Sequence, residues 1–275
     1  MLRLTKHHGL GNDFLVALAD QNPGLGIDSE LARSLCDRHR GIGADGLILS
    51  FPPSEEGNDA CMVLLNADGS EAEISGNGIR CLGQALLRHA GRSEGVLRIE
   101  TARGVRQLRS IRGSAEDEIW IQVDMGAVSS GPELGTLSQA YPAMHRGTFN
   151  IGNPHLVLLL ESEDQLQQLD LATVGPRLES EYSEGINVEF VYVDSTDHMQ
   201  LLVWERGSGI TEACGSGATV AAAAAHEAGL VSEQVRVSMP GGEAQITISD
   251  TTLLLTGPSV FIAEVTVLLP EVTVS

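Results

Sequence analysis

Cys214-Gly-Ser-Gly-Ala218 opens a run of alanines, and Ser75-Gly-Asn-Gly-Ile79 opens a second apolar segment that ends near Gly91. Each reads as a glycine-rich loop feeding a helix. A second pair of motifs precedes them in the same order: Gly11-Asn-Asp13 ahead of the first loop, and Gly152-Asn-Pro-His155 ahead of the second. Both pairs are separated by nearly the same interval, close to half of the 275 residues. Self-similarity at one offset suggests an internal duplication, and it predicts two similar lobes facing one another. The length agrees, because 275 residues are many for one ordinary domain.

Outward from these loops the chain is a series of short strands. Arg3 to Lys6 and Phe14 to Ala19 read as strands around the loop Gly9-Leu-Gly-Asn-Asp13. Ser29 to His39 has helical spacing, with Asp28 or Ser29 as N-cap. The turn Gly41-Ile-Gly-Ala-Asp-Gly46 leads into an apolar strand, Leu47 to Phe51, and Ala60 to Asn66 is another. Asn66-Ala-Asp-Gly-Ser70 is turn chemistry. Short strands follow the second helix through about Val123.

Composition removes several function classes. Asp and Glu number 37 against 17 Lys and Arg, for a formal charge of −20. Such a surface repels phosphate backbones, so no nucleic-acid partner is expected. No apolar run reaches the 18 or so residues of a membrane helix, and the N-terminus lacks a signal-peptide core; the expected address is the cytoplasm, with no membrane partner. Sixteen of the 17 basic residues are Arg, and Lys6 is the only lysine. A pyridoxal enzyme needs a Schiff-base lysine, and Lys6 lies in a short segment with no phosphate cradle nearby, so no cofactor is expected.

Cys36, Cys61, Cys81 and Cys214 form no CxxC pair, which argues against a disulfide framework. Cys214 is the one placed for chemistry. At the junction of a glycine-rich loop and a helix, unpaired backbone N–H groups and the helix dipole converge. Both favour a thiolate, so its pKa is expected to fall below about 8.5. The same N–H groups suit a carboxylate. A base and an anion anchor at one point fit chemistry at the carbon beside a carboxylate.

Other motifs carry less. Gly41 to Gly46 matches GxGxxG, but a helix precedes it and a strand follows, the reverse of the dinucleotide fingerprint. His7 and His8 are neighbours in a strand and point to opposite faces; no metal site is expected. Neither Ser208 nor Ser216 sits in a GxSxG elbow.

The motifs taken together resemble the diaminopimelate epimerase family. The segments that carry the resemblance are His8-Gly-Leu-Gly-Asn-Asp-Phe14, Asp37 to Gly46, Asn66 to Ser70, Gly76-Asn-Gly-Ile-Arg-Cys81 and Gly152-Asn-Pro-His155. Gly185-Ile-Asn-Val-Glu-Phe190, Glu205-Arg-Gly207, Ala213 to Ala218 and Met239-Pro-Gly-Gly242 complete the set, in order and along nearly the whole chain.

The resemblance implies an α+β fold of two pseudo-symmetric lobes, each a curved, mostly antiparallel barrel around a central helix. Residues 1–117 would form the first lobe, with 263–275 returning to it, and 118–262 the second. A substrate cleft between the lobes and a homodimer are implied too. The implied chemistry is cofactor-free inversion of diaminopimelate by two acid–base groups on opposite faces of the α-carbon, as in lysine and peptidoglycan-precursor synthesis. Cys214 carries over as one of them. Gly76, Asn77, Gly215 and Ser216 would hold the reacting carboxylate, and Asn12, Asn66, Asn153 and Asn187 would read the distal groups. Glu205 would bind the reacting amine and Arg206 the distal carboxylate, with His155 and Glu205 supporting proton transfer.

One position departs from the pattern. The family has its second catalytic cysteine immediately before Gly-Asn-Gly, and this chain has Ser75 there. Cys81, six residues on, would be displaced some 9 Å along the helix and rotated away. A hydroxyl is far less acidic than a thiol, so Ser75 is a poor base. Three readings stay open: an epimerase altered by design from cysteine to serine, a relative with one-sided racemase or dehydratase chemistry, or a binding protein on an epimerase scaffold. Retention of every other substrate-reading position favours the first.

Overall fold

The computed structural model describes residues 1–72, 75–115 and 117–268, the side chains of 112–115 excepted. The first half of the chain builds β1 (Leu2–Gly9), β2 (Asn12–Leu18), α1 (Ser29–Cys36), β3 (Gly46–Phe51), β4 (Ala60–Asn66), β5 (Glu71–Ala72), α2 (Gly76–His89), β6 (Val96–Thr101), β7 (Gly104–Ala115) and β8 (Glu118–Gly126). The second builds β9 (Ser129–Ser130), α3 (Thr136–Ala140), β10 (His145–Asn150), β11 (Pro154–Leu159), α4 (Glu163–Gln167), α5 (Leu171–Glu179), β12 (Asn187–Ser195) and β13 (His198–Glu205). It ends with β14 (Gly209–Ile210), α6 (Gly215–Glu227), β15 (Gln234–Met239), β16 (Gly242–Ile248) and β17 (Leu253–Val267).

The two halves repeat one pairing scheme. β1–β2 is antiparallel, β2–β3 parallel, β3–β4 antiparallel, β4–β6 parallel and β6–β7 antiparallel. The series β10–β11, β11–β12, β12–β13, β13–β15 and β15–β16 has the same senses in the same order. β17 joins them: it pairs with β16 and β8 along its first part, then with β1, Leu2 facing Val267. That closes the first ring. The second is closed more briefly by β9 against β10, Phe149 opposite Ser130 and Asn150 opposite Ser129. The expected fold class holds: two pseudo-symmetric lobes of curved, mostly antiparallel sheet, each around a central helix. Residues 269–275 of the expected returning tail lie outside the described residues.

α2 and α6 are those central helices. Ile79, Leu82 and Ala85 of α2 and Val220, Ala221 and Ala225 of α6 enter one continuous apolar core. α6 is apolar on every side because strands surround it, and alanine lets them approach closely. Two further clusters lie outside the rings, under α1 and under α4 and α5. α1 is capped by Asp28, as expected, but stops at Cys36 rather than His39. The Asp37 carboxylate takes the N–H groups of His39 and Arg40 at 2.7 and 2.8 Å, which offers the backbone a turn in place of another helical residue. Among the described residues no helix is long and apolar enough to cross a membrane.

The two central helices meet N-terminus to N-terminus. A Cβ placed on Gly76 would stand 3.2 Å from Gly215 Cα and 2.7 Å from a methyl of Leu255; one on Gly215 would meet the same methyl at 2.9 Å and Gly76 Cα at 3.1 Å. Only glycine fits both positions. Gly76→Ala is therefore expected to force the helix starts apart and cost about 1–3 kcal/mol, read as a lower thermal midpoint. An unchanged midpoint would show that the contact is loose.

Candidate active site

The first turns of α2 and α6 floor a cavity of about 620 Å³. Twelve of the thirteen residues expected at the site line it: Ser75, Gly76, Asn77, Asn12 and Asn66 from the first lobe, and Cys214, Gly215, Ser216, Asn153, Asn187, Glu205 and Arg206 from the second. His155, the thirteenth, is fully buried behind this wall, its Nε2 2.9 Å from Asn153 Oδ1.

Ser75 and Cys214 hold equivalent positions as N-caps. Ser75 Oγ accepts from Gly78 N at 2.9 Å, and Cys214 Sγ accepts from Gly217 N at 3.4 Å. Neither cap uses up its helix start, since several N–H groups at each remain without an intrahelical acceptor. Two positive helix ends therefore converge on one cavity floor, an arrangement suited to an anion.

Cys214 does not have the depressed pKa that its helix position predicts. Burial pushes the thiol well above its ordinary range, Glu205 pushes it further, and Ser216 Oγ at 3.5 Å and the Gly217 N–H only partly oppose them. The correction has a plain cause: the packed lobes bury the thiol, and an acidic neighbour on β13 adds to the effect. Glu205 is displaced the same way by burial, despite hydrogen bonds from Thr211 Oγ1 and the Cys214 thiol. The site thus pairs a thiol with a carboxyl, and a cation beside Glu205 would ease ionisation of both.

The asparagines are held from behind. Asn12 donates to Asp45 at 2.8 Å and accepts from Asn77 Nδ2 at 3.2 Å. Asn77 also donates to Ala213 O at 3.0 Å, across the lobes, and accepts from Arg80 Nη2 at 2.7 Å. Asn187 spends one amide hydrogen on Pro154 O at 2.9 Å and accepts from Arg206 N at 3.0 Å, so it shapes the Arg206 turn as well as facing the cavity. Asn66 donates to Ser70 Oγ at 3.0 Å. The Arg206 guanidinium reaches Glu184 O at 3.3 Å and makes no ion pair among the described residues, which leaves a charge for a ligand.

Sequence reasoning missed three supporting residues. Asp45, in a turn given no part in the site, fixes Asn12 and is itself held by Arg38 at 2.7 Å. Arg80 is wholly buried, donates to Gly76 O at 2.9 Å and Pro258 O at 3.2 Å besides Asn77, and has its pKa lowered by burial to about 10. Its spacing, one turn along α2 from Gly76, was the available signal. Glu189 lies inside Gly185-Ile-Asn-Val-Glu-Phe190 and had none. All four cysteines are free; Cys81 is buried in the core, with its thiol pushed up to about 12 by burial, and does not line the cavity. Lys6 is engaged elsewhere, 2.9 Å from Asp13 and 2.6 Å from Gly43 O. Among the described residues no group of His, Cys, Asp or Glu is spaced to hold a metal ion.

Known proteins match this fold and these motifs. The chain is 38% identical to a diaminopimelate epimerase of Halothermothrix orenii, over 94% of this chain and 95% of the relative. It is 37% identical to one of Synechocystis, over 94% and 96%. Among solved structures, a probable proline racemase from Agrobacterium radiobacter superposes with a TM-score of 0.75 at 17% identity, covering 100% of this chain and 95% of that one. A predicted epimerase from Pseudomonas aeruginosa gives 0.75 at 17% identity, covering 98% and 100%. These two share the fold. The diaminopimelate epimerase family model matches residues 4–130 and 147–262, and the chain belongs to that family.

Proposed function

We propose that the chain acts, without a cofactor, on the α-carbon of LL- and meso-diaminopimelate, in lysine and peptidoglycan-precursor synthesis, with Ser75 impairing its inversion. The observation that carries this reading is the meeting of two equivalent helix N-termini on one cavity floor, one capped by a thiol and the other by a hydroxyl.

The reacting carboxylate lies on the N–H groups of Gly76, Asn77, Gly215 and Ser216. Its neighbouring ammonium takes the place beside Glu205, replacing the proton shared there and easing ionisation of Cys214. The Cys214 thiolate removes the α-proton from one face. The negative charge spreads into the carboxylate, where the peptide dipoles of the two first turns stabilise it without reorganisation. Return of the proton from Cys214 restores the original isomer; delivery from Ser75 on the other face gives the inverted one. Asn12, Asn66, Asn153 and Asn187 position the distal end, and Arg206 pairs with the distal carboxylate. The lobes in this reading are residues 1–117 with 263–275, and 118–262; the protein is a cytoplasmic homodimer, and it binds neither membrane nor nucleic acid.

The distal contact is testable by binding alone. Loss of a charged hydrogen bond of about 1.5–3 kcal/mol corresponds to roughly ten- to hundredfold in affinity. Arg206→Gln is expected to weaken diaminopimelate by that factor in isothermal titration, and to leave binding of lysine, which lacks the distal carboxylate, little changed. Equal losses for both ligands would remove Arg206 from the distal end.

A further inference from the structure

Beneath the two capping residues the lobes differ in kind. His155 faces Asn187 across the parallel pair β11–β12, and Glu189 lies two residues along; Phe14 faces Gly46 across β2–β3, with Ile48 two residues along. These are equivalent positions, at the offset that relates Asn153 to Asn12. A Cβ on Gly217 would meet Glu189 Oε1 at 2.7 Å and Cys214 Sγ at 3.2 Å; one on Gly78 would meet Ile48 Cδ1 at 3.3 Å and Ser75 Oγ at 3.2 Å. The Cys214 side is therefore built on an acid and an imidazole, and the Ser75 side on hydrocarbon.

The hydrogen bonds of this pair require one proton more than a carboxylate and a neutral imidazole carry. His155 Nδ1 lies 2.7 Å from Glu189 Oε1, and its Nε2 lies 2.9 Å from Asn153 Oδ1. Both ring nitrogens thus face oxygens, so either the ring is an imidazolium or the carboxyl is protonated. Both side chains are fully buried, and Glu189 Oε2 has no hydrogen-bond partner among the described residues. A bare carboxylate oxygen in such a place is costly, while the neutral pair leaves no charge unsolvated. Burial pushes the Glu189 carboxyl upward in the same sense.

We infer that Glu189 is a positioning residue held as a carboxylic acid, which donates to His155 Nδ1 and so fixes Nε2–H on Asn153 Oδ1. Asn153 then turns its Nδ2 toward Ser216 Oγ, 3.5 Å away at the reacting end of the cavity. The titratable groups facing Glu189 are His155 from β11, Glu205 from β13 and Cys214 from the turn into α6. α4 and α5 pack on the opposite face of β12, against Val188 and Phe190. Kept neutral, Glu189 leaves the negative charge of this cluster to Cys214 and Glu205.

The tautomer is measurable in the protein without substrate, so this inference fails or stands apart from the diaminopimelate reading on which its catalytic consequence rests. Long-range proton–nitrogen NMR of the His155 ring, assigned by its loss in His155→Gln, should show a protonated Nε2 and an unprotonated Nδ1 at neutral pH. Glu189→Gln should keep that pattern, because its amide N–H can donate to Nδ1 in the same way. Glu189→Ile, the residue of the other lobe, should lose it, and should slow α-proton exchange about tenfold or more, with Glu189→Gln recovering most of the rate. An imidazolium ring, a ring protonated on Nδ1 alone, or a tautomer reversed by Glu189→Gln would overturn the inference.

Discussion

Replacing Cys214 by alanine is expected to abolish solvent exchange of the substrate α-proton, a loss of about 10²–10⁴-fold. The sulfur caps a helix start at the cavity floor and is acidic enough to cycle between proton-bound and proton-free forms during turnover. Its surroundings set the pH dependence. Burial and the Glu205 carboxyl hold the thiol above its ordinary range, so in the unaltered protein exchange should rise with pH from neutrality into the alkaline range as the thiolate fraction grows. The acid limb is also displaced upward, because Glu205 must lose its proton to hold an ammonium and burial raises its pKa. Exchange in Cys214→Ala at the unaltered rate, followed by NMR in D₂O, would remove the sulfur from the chemistry.

Ser75→Cys should have the opposite effect on inversion, raising it by about 10²–10⁴-fold. A hydroxyl is far less acidic than a free thiol, which titrates at about 8.5, so the present residue is a poor base for the return reaction. The position is otherwise prepared for a thiol. Its oxygen already caps Gly78 as Cys214 caps Gly217, and the floor beneath it is the side chain of Ile48. A small gain or none, in a variant that folds and binds substrate, would mean that this lobe lacks more than a sulfur atom and would favour one-sided chemistry or simple binding.

Much of the fold was legible because the signals are local. Caps, glycine turns and alternating strands depend on neighbours in sequence, and the repeated loops at Ser75 and Cys214 pointed to two lobes before any pairing was known. The end of α1 was misjudged by three residues, where Asp37 offers its carboxylate to the backbone. The site was legible as a set of residues but not as electrostatics. Helix position alone predicts an acidic Cys214; the burial that reverses the direction, to which Glu205 on β13 adds, comes from the packing of the two lobes, which no window of sequence contains. Glu189 was invisible for the same reason, and so was the task of Arg80 beneath Asn77. Asp45 was hidden by a turn that resembles a nucleotide loop.

In the proposed chemistry Cys214 works from one face while Ser75 leaves the other without a competent base. Its most direct test is α-proton exchange of the unaltered protein in D₂O, followed by NMR with LL- and meso-diaminopimelate offered separately. One isomer is expected to take up deuterium and keep its configuration while the other scarcely exchanges. Inversion of both isomers at comparable, useful rates would show Ser75 serving as a full acid–base partner and would contradict it.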